Sequence, residues 1–200
     1  MSSSPSCPVC GDALAGIGPQ ARSARCPSCG SWVVVGDSGW VAGGEFTRAL
    51  DAPAFLHVGR EGRLGGERVT AAGRVRLAYE GGEWDEWWLL GEDGAGHWLE
   101  EDDGRYLLHV PVDVAPGGAG TAHVGGTLEA GGRRWLVVES LEARVLGAEG
   151  ELPVAVPAGA AVRCVDAVGG GERLSLELWG DEVLASAARP ADEAGLVWAP

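Results

Sequence analysis

RVRLAYEGGEWDEWWLL, residues 74–90, decides the fold class of this chain. Side chains alternate between the two faces of an extended strand. Val75, Leu77 and Tyr79 therefore share one face of the first run, and Arg74 and Arg76 take the other. The second run, EWDEWWLL, sends Trp84, Glu86, Trp88 and Leu90 to one side and Asp85, Trp87 and Leu89 to the other. A turn at EDGA brings back HWLE, and the register counted from the sequence sets Trp98 near Leu89. Both faces of this hairpin thus carry aromatic surface. One face packs in a β core. The other, with Glu86 among tryptophans and Glu151 nearby, lines a groove between two halves of the domain, where indole faces and a carboxylate suit an arginine or an amine. The alternative is that every tryptophan is core and Glu86 bonds to backbone N–H groups at a strand bend.

The same alternation extends outward. In LSLEL, Leu174, Leu176 and Leu178 face away from Ser175 and Glu177, while RWLVV (134–138) and YLLHV (106–110) are continuously apolar, as inner strands are. The turns GEDGAG (91–96), APGGAG (115–120) and VGGGE (168–172) separate these runs, so residues 55–190 read as a mostly antiparallel β domain. HVGREGRLGGERV (57–69) returns without gaps as HVGGTLEAGGRRW (123–135), 66 residues on. That echo predicts two copies of one small β unit, over 55–112 and 121–187, each too small to bury a good core alone. DEVLASAARP (181–190) reads as a short helix or a closing strand, and 191–200 as a tail. Residues 37–54 read as a linker with one helical turn around Phe46 to Leu50.

Residues 1–36 hold four of the five cysteines, in CPVCG and CPSCG. Cys7 with Cys10 and Cys26 with Cys29 form two Cys-x-x-Cys knuckles fifteen residues apart. In each, a following glycine permits the turn that faces both sulfurs at one point. Four thiolates so placed close a tetrahedron around Zn²⁺, leaving no open position, so the zinc is structural. A ribbon this short cannot fold on apolar burial alone, and the metal supplies the missing stability. Replacing one ligand with serine is expected to unfold the ribbon and spare the β domain, on the premise that their cores are separate. The fifth cysteine, Cys164, reads as a small buried apolar residue on a strand.

Of 200 residues, 46% are hydrophobic and mean hydropathy is +0.03, which fits a globular chain. A net charge of −14 repels phosphates and anionic headgroups, so neither nucleic acid nor direct membrane insertion is expected. No apolar run reaches the length of a membrane helix, and the first residues lack the pattern of a signal peptide; the expected location is cytoplasmic.

GRVRLAYEGGEWDEWWLLGEDGAGHWLEEDDGRY (73–106) followed by AEGELP (148–153) resembles the bacterial domain of unknown function 4178, here preceded by a four-cysteine zinc ribbon. The residues carrying the resemblance are Gly73, Trp84-Asp85-Glu86-Trp87 with Leu89, Gly94, Trp98-Leu99 and Gly150-Glu151-Leu152-Pro153. The resemblance spans roughly residues 55–187 and names no activity or substrate. Members tend to sit beside membrane-stress and polyamine systems, which implies a membrane-stress-associated complex.

The four histidines, His57, His97, His109 and His123, form no metal-ligand pattern, and no nucleophile elbow or phosphate loop is present. No catalytic residue is therefore expected. The first functional reading is a noncatalytic module that binds a partner protein. The second is a binder of a small cation, an amine or polyamine, through Trp84, Glu86, Trp87, Trp88, Trp98 and Glu151. A third is a hydrolase that pairs Glu86 with Glu151 as acid and base.

Overall fold

Alternation of the kind seen at 74–90 turns most of the chain into strand. The structure is a computed structural model and describes residues 5–46, 50, 55–115, 117–180 and 182–199. Its strands are β1 (Ser23–Arg25), β2 (Trp32–Gly36), β3 (Gly39–Ala42), β4 (Glu61–Leu64), β5 (Glu67–Tyr79), β6 (Gly82–Gly91) and β7 (Gly96–Asp102). They continue with β8 (Arg105–Pro111), β9 (Thr127–Ala130), β10 (Arg133–Leu152), β11 (Ala161–Gly169), β12 (Glu172–Trp179), β13 (Glu182–Pro190) and β14 (Leu196–Trp198). No helix occurs among the described residues.

Eight strands close on themselves in the order β5-β6-β7-β8-β13-β12-β11-β10, and β10 pairs back onto β5. Every pairing is antiparallel, so the result is an eight-stranded antiparallel barrel, and closure leaves these eight strands no free edge. Closure is tightest where β5 crosses β10. A Cβ on Gly73 would strike the Glu151 carbonyl, and one on Gly150 would strike that of Ala72. Gly150 also holds φ at 70°, which costs glycine nothing.

The echo has a backbone counterpart. Gly59 N donates to Ala71 O (2.8 Å) and Gly125 N to Val137 O (2.9 Å), 66 residues on. Hairpins β4–β5 and β9–β10 have matching registers, Leu64↔Glu67 and Ala130↔Arg133. A bulge interrupts β5 between Ala71 and Gly73, and another interrupts β10 between Val137 and Glu139. Each bulge swaps the strand's inner and outer faces.

Two apolar clusters coat the barrel's outer wall. One gathers Leu56, Val69, Ala71, Trp87, Leu89, Leu99 and Ala191; the other gathers Leu128, Trp135, Val137, Val165, Leu174 and Leu176. Trp87 and Arg74 stack at 5.1 Å on the outer face, and Arg74, fully buried, meets Asp85 at 3.0 Å and Glu149 at 3.2 Å. Inside, Val75, Leu77, Ala143, Val145 and Val162 form a third cluster, which Trp32 and Val34 of the ribbon join.

Several expectations change here. The ribbon extends into the presumed linker through β3, and β1 pairs with the end of β10, so ribbon and barrel share a core instead of holding separate ones. The helical turn expected around Phe46 to Leu50 falls on residues 47–49, outside the described residues. DEVLASAARP supplies β13, a wall strand of the barrel, and residues 196–198 of the presumed tail form β14, paired with β4.

Candidate functional site

The two knuckles are built alike. Gly11 N donates to Cys7 O and Gly30 N to Cys26 O, both at 2.9 Å, and both glycines sit at positive φ (83° and 74°). The turns aim the sulfurs inward: Cys7 Sγ lies 3.9 Å from Cys29 Sγ, and Cys10 Sγ lies 3.9 Å from Cys26 Sγ. All four sulfurs fall within 4.8 Å of one another, and all four cysteines are free of disulfides. These four cysteines could hold a metal ion. Metal–sulfur bonds of about 2.3 Å in a tetrahedron would set the sulfurs about 3.8 Å apart, close to what is seen. Ser31 reinforces the set: its hydroxyl lies 3.3 Å from Cys29 Sγ and leads the contacts that bring that thiol down to about 6.

The second site is the barrel lumen. Trp88 pairs with Trp98 across β6 and β7, with ring centroids 5.1 Å apart, so the register runs one residue off the sequence count and His97 takes the place opposite Leu89. That slip puts Trp98 on the inner face with Trp84, Glu86 and Trp88. Gly96 leaves room for the Trp88 ring, since a Cβ there would meet it. A cavity of about 320 Å³ opens beside these residues, lined by Glu86, Trp88, Trp98, His109, Ser175, Glu177 and Ser186 among others. A narrower one of about 80 Å³ shares Glu86, Ser175 and Glu177 and adds Trp84, Glu100, Cys164, Asp166 and Arg173.

The lumen is acidic, and its carboxylates differ in state. Burial, and then the charge of Glu177, hold the Glu86 carboxyl well above its ordinary range; one donor, Trp84 Nε1, approaches it at 3.0 Å. Trp179 Nε1 approaches Glu177 in the same manner, at 2.9 Å. Burial also pushes Glu100 up, but His109 and Arg173 outweigh it, and Glu100 ends below its ordinary value. Arg173 reaches Glu100 at 3.3 Å and Asp166 at 2.9 Å. Burial, with Glu177 and Glu86 beside it, drives the Cys164 thiol up, so Cys164 stays protonated and inert.

The candidate residues divide accordingly. Trp84, Glu86, Trp88 and Trp98 meet in the lumen, with both Trp84 and Trp88 half-buried. Trp87 does not join them: alternation turns it outward, where it is fully buried and donates to Glu101 Oε2 at 2.8 Å. Glu151 is absent too, because at that point β10 has left the barrel for β1, and its carboxylate accepts Gly18 N–H at 2.7 Å. The carboxyl facing Glu86 is Glu177, so the expected pairing of Glu86 with Glu151 is replaced by Glu86 with Glu177. Glu177, Glu100, His109 and Ser186 are not among the candidate site residues that the sequence offers. The Leu-Ser-Leu-Glu-Leu alternation puts Ser175 and Glu177 on the polar face, but only closure of the barrel shows that this face is the lumen.

A family model described as a domain of unknown function, DUF4178, matches residues 57–193. No curated protein and no solved structure matches the chain.

Proposed function

The chain belongs to the DUF4178 family, whose description names no activity, and we propose from the lumen that it binds a small organic ammonium ion. The observation that carries this reading is the pairing of types in one cavity. Two indoles, Trp88 and Trp98, stand beside two facing carboxyl groups, Glu86 and Glu177, and burial with the neighbouring charge of Glu177 holds Glu86 well above its ordinary range. A cation supplies what this arrangement lacks. It would favour the ionised form of Glu86, and each indole face would add about 0.5–2 kcal/mol. The ribbon's part in this reading is structural, with Zn²⁺ as its metal: a closed set of four thiolates offers nothing to a substrate.

Calorimetric titration with phenethylammonium, spermidine and the neutral alcohol 2-phenylethanol tests it. Binding of at least one amine with no binding of the alcohol is expected, and Glu86→Gln should weaken the amine tenfold or more. Equal binding of amine and alcohol, or no amine binding, refutes it.

One observation also favours a partner protein. Leu136 and Val168 sit opposite each other at the rim of the barrel, on the face turned away from the outer cluster of Trp135 and Val137, with Val138 next in sequence, at 45%, 42% and 46% exposure. Such a patch suits a docking contact, and a membrane-stress-associated complex is the partner that the family resemblance implies. Leu136→Glu should release a captured partner while leaving amine binding unchanged.

A further inference from the structure

On the wall of the larger cavity, Ser186 Oγ lies 2.6 Å from His109 Nδ1, and His109 Nε2 lies 3.3 Å from Glu100 Oε2. The three come from different strands, β13, β8 and β7, and the barrel's registers set them side by side. His109 is opposite Trp98 on one flank and Ala188 on the other, with Ser186 two residues along from Ala188. Glu100 is two residues along from Trp98 on the same inner face. From this geometry we propose that Ser186, His109 and Glu100 form a nucleophile, base and orienting carboxylate, and that the lumen hydrolyses an ester.

The tautomer follows from the contacts. With Glu100 on the Nε2 side, that nitrogen keeps its proton and Nδ1 is bare, so Nδ1 accepts the Ser186 hydroxyl. The Nε2–Glu100 contact is within ion-pair range but off the line of a good hydrogen bond. Such contacts tighten when a substrate arrives. Glu100 is suited to steadying an imidazolium, because Arg173 helps to keep it ionised. A serine that merely stitched two strands would have no need of a histidine backed by a buried carboxylate and open to a cavity.

The step balances without any cofactor. Ser186 Oγ adds to the ester carbonyl carbon as His109 Nδ1 takes the hydroxyl proton. The tetrahedral adduct then breaks its bond to the alkoxy oxygen, and His109 returns the proton to the departing alcohol. Water next adds to the acyl-serine, His109 takes its proton, and the carboxylic acid leaves as Ser186 recovers its hydrogen. The developing oxyanion has donors on the same wall. Trp88 and Trp98 line the same cavity as Ser186, and no hydrogen bond among the described residues engages their indole N–H groups. Selection of an ester that carries an ammonium group rests on the binding reading above; the Ser186 chemistry does not.

A fluorescent alkyl fluorophosphonate, incubated with the full-length protein, tests the proposal. Ser186 Oγ should displace fluoride and leave one covalent adduct, mapped to Ser186 by mass spectrometry. Labelling should vanish in Ser186→Ala and slow at least a hundredfold in His109→Gln, with circular dichroism unchanged as the control for folding. Glu100→Gln should slow labelling about tenfold. No labelling of folded wild-type protein, or labelling that persists in Ser186→Ala, overturns the proposal. Labelling at Ser186 that phenethylammonium slows supports both readings. Labelling at Ser186 in a protein that binds no amine supports the hydrolytic centre and removes the ammonium reading alone.

Discussion

Replacing Glu86 with glutamine should change how stability depends on pH, in a direction that the lumen dictates. Glu86 is 8% exposed, receives one indole N–H, and faces Glu177. Burial and that neighbour raise its folded-state pKa above the ordinary 4.5. Between that ordinary value and the raised one, the native protein keeps a proton that the unfolded chain has lost. The contribution of Glu86 to stability is therefore fully present below about pH 4.5 and declines as pH rises through the window. One proton bound only by the native state gives a slope of about −1.4 kcal/mol per pH unit at most. Glutamine carries no such proton, so the slope should vanish in Glu86→Gln. Glu100, lowered, acts with the opposite sign below pH 4.5, and Asp102, raised by burial and Asp103, acts with the same sign as Glu86. Both remain in the mutant and cancel in the difference. Urea denaturation followed by tryptophan fluorescence, in steps from pH 4.5 to 8, measures it. The mutant should gain on the wild type as pH rises; parallel curves would mean that Glu86 is ionised in the native state and that the lumen account is wrong.

Metal analysis should find about one zinc per chain. Chelation should loosen the barrel as well as the ribbon, because Trp32 and Val34 share a core with Val75 and Leu77. At about 1.5–3 kcal/mol per buried side chain, losing both would cost about 3–6 kcal/mol, read as a fall in urea midpoint. Gly96→Ala should displace Trp88, shifting the tryptophan emission and weakening amine binding while leaving the far-ultraviolet spectrum unchanged. Arg74→Ala strands Asp85, which is 5% exposed, and should cost about 3–5 kcal/mol, although Arg76 at 2.7 Å still answers part of that charge; a loss under about 1 kcal/mol would contradict the buried pairing.

Period-two alternation carries information about face but not about which face is inside. From the sequence, Val75 and Leu77 are partners on one side of β5, and Trp84, Glu86 and Trp88 on one side of β6, as the structure has them. The sequence does not disclose the bulge after Ala71, which swaps faces and so places Val69 outside and Val75 inside. It does not fix the hairpin register either, since a slip of one residue moved Trp98 from the presumed company of Leu89 to that of Trp88. The cysteine cluster was legible because its four ligands come as two local turns with fixed spacing. The lumen was not, because Glu100 lies 77 residues from Glu177, and His109 the same distance from Ser186. Such contacts depend on barrel closure, which no local pattern encodes. The pairing of Glu86 with Glu151 failed for that reason: β10 is long enough to leave the barrel before it reaches Glu151.

The most direct test of the central claim, that the lumen takes a cation in place of a held proton, is a count of protons released on binding. Phenethylammonium is titrated into the protein by calorimetry at one pH within the window where Glu86 is protonated, in buffers of different ionisation enthalpy. The dependence of the observed heat on that enthalpy gives the proton number. The account predicts release of close to one proton per amine bound in the wild type and close to none in Glu86→Gln. Binding with no proton released from the wild type, or equal release from both proteins, would contradict it.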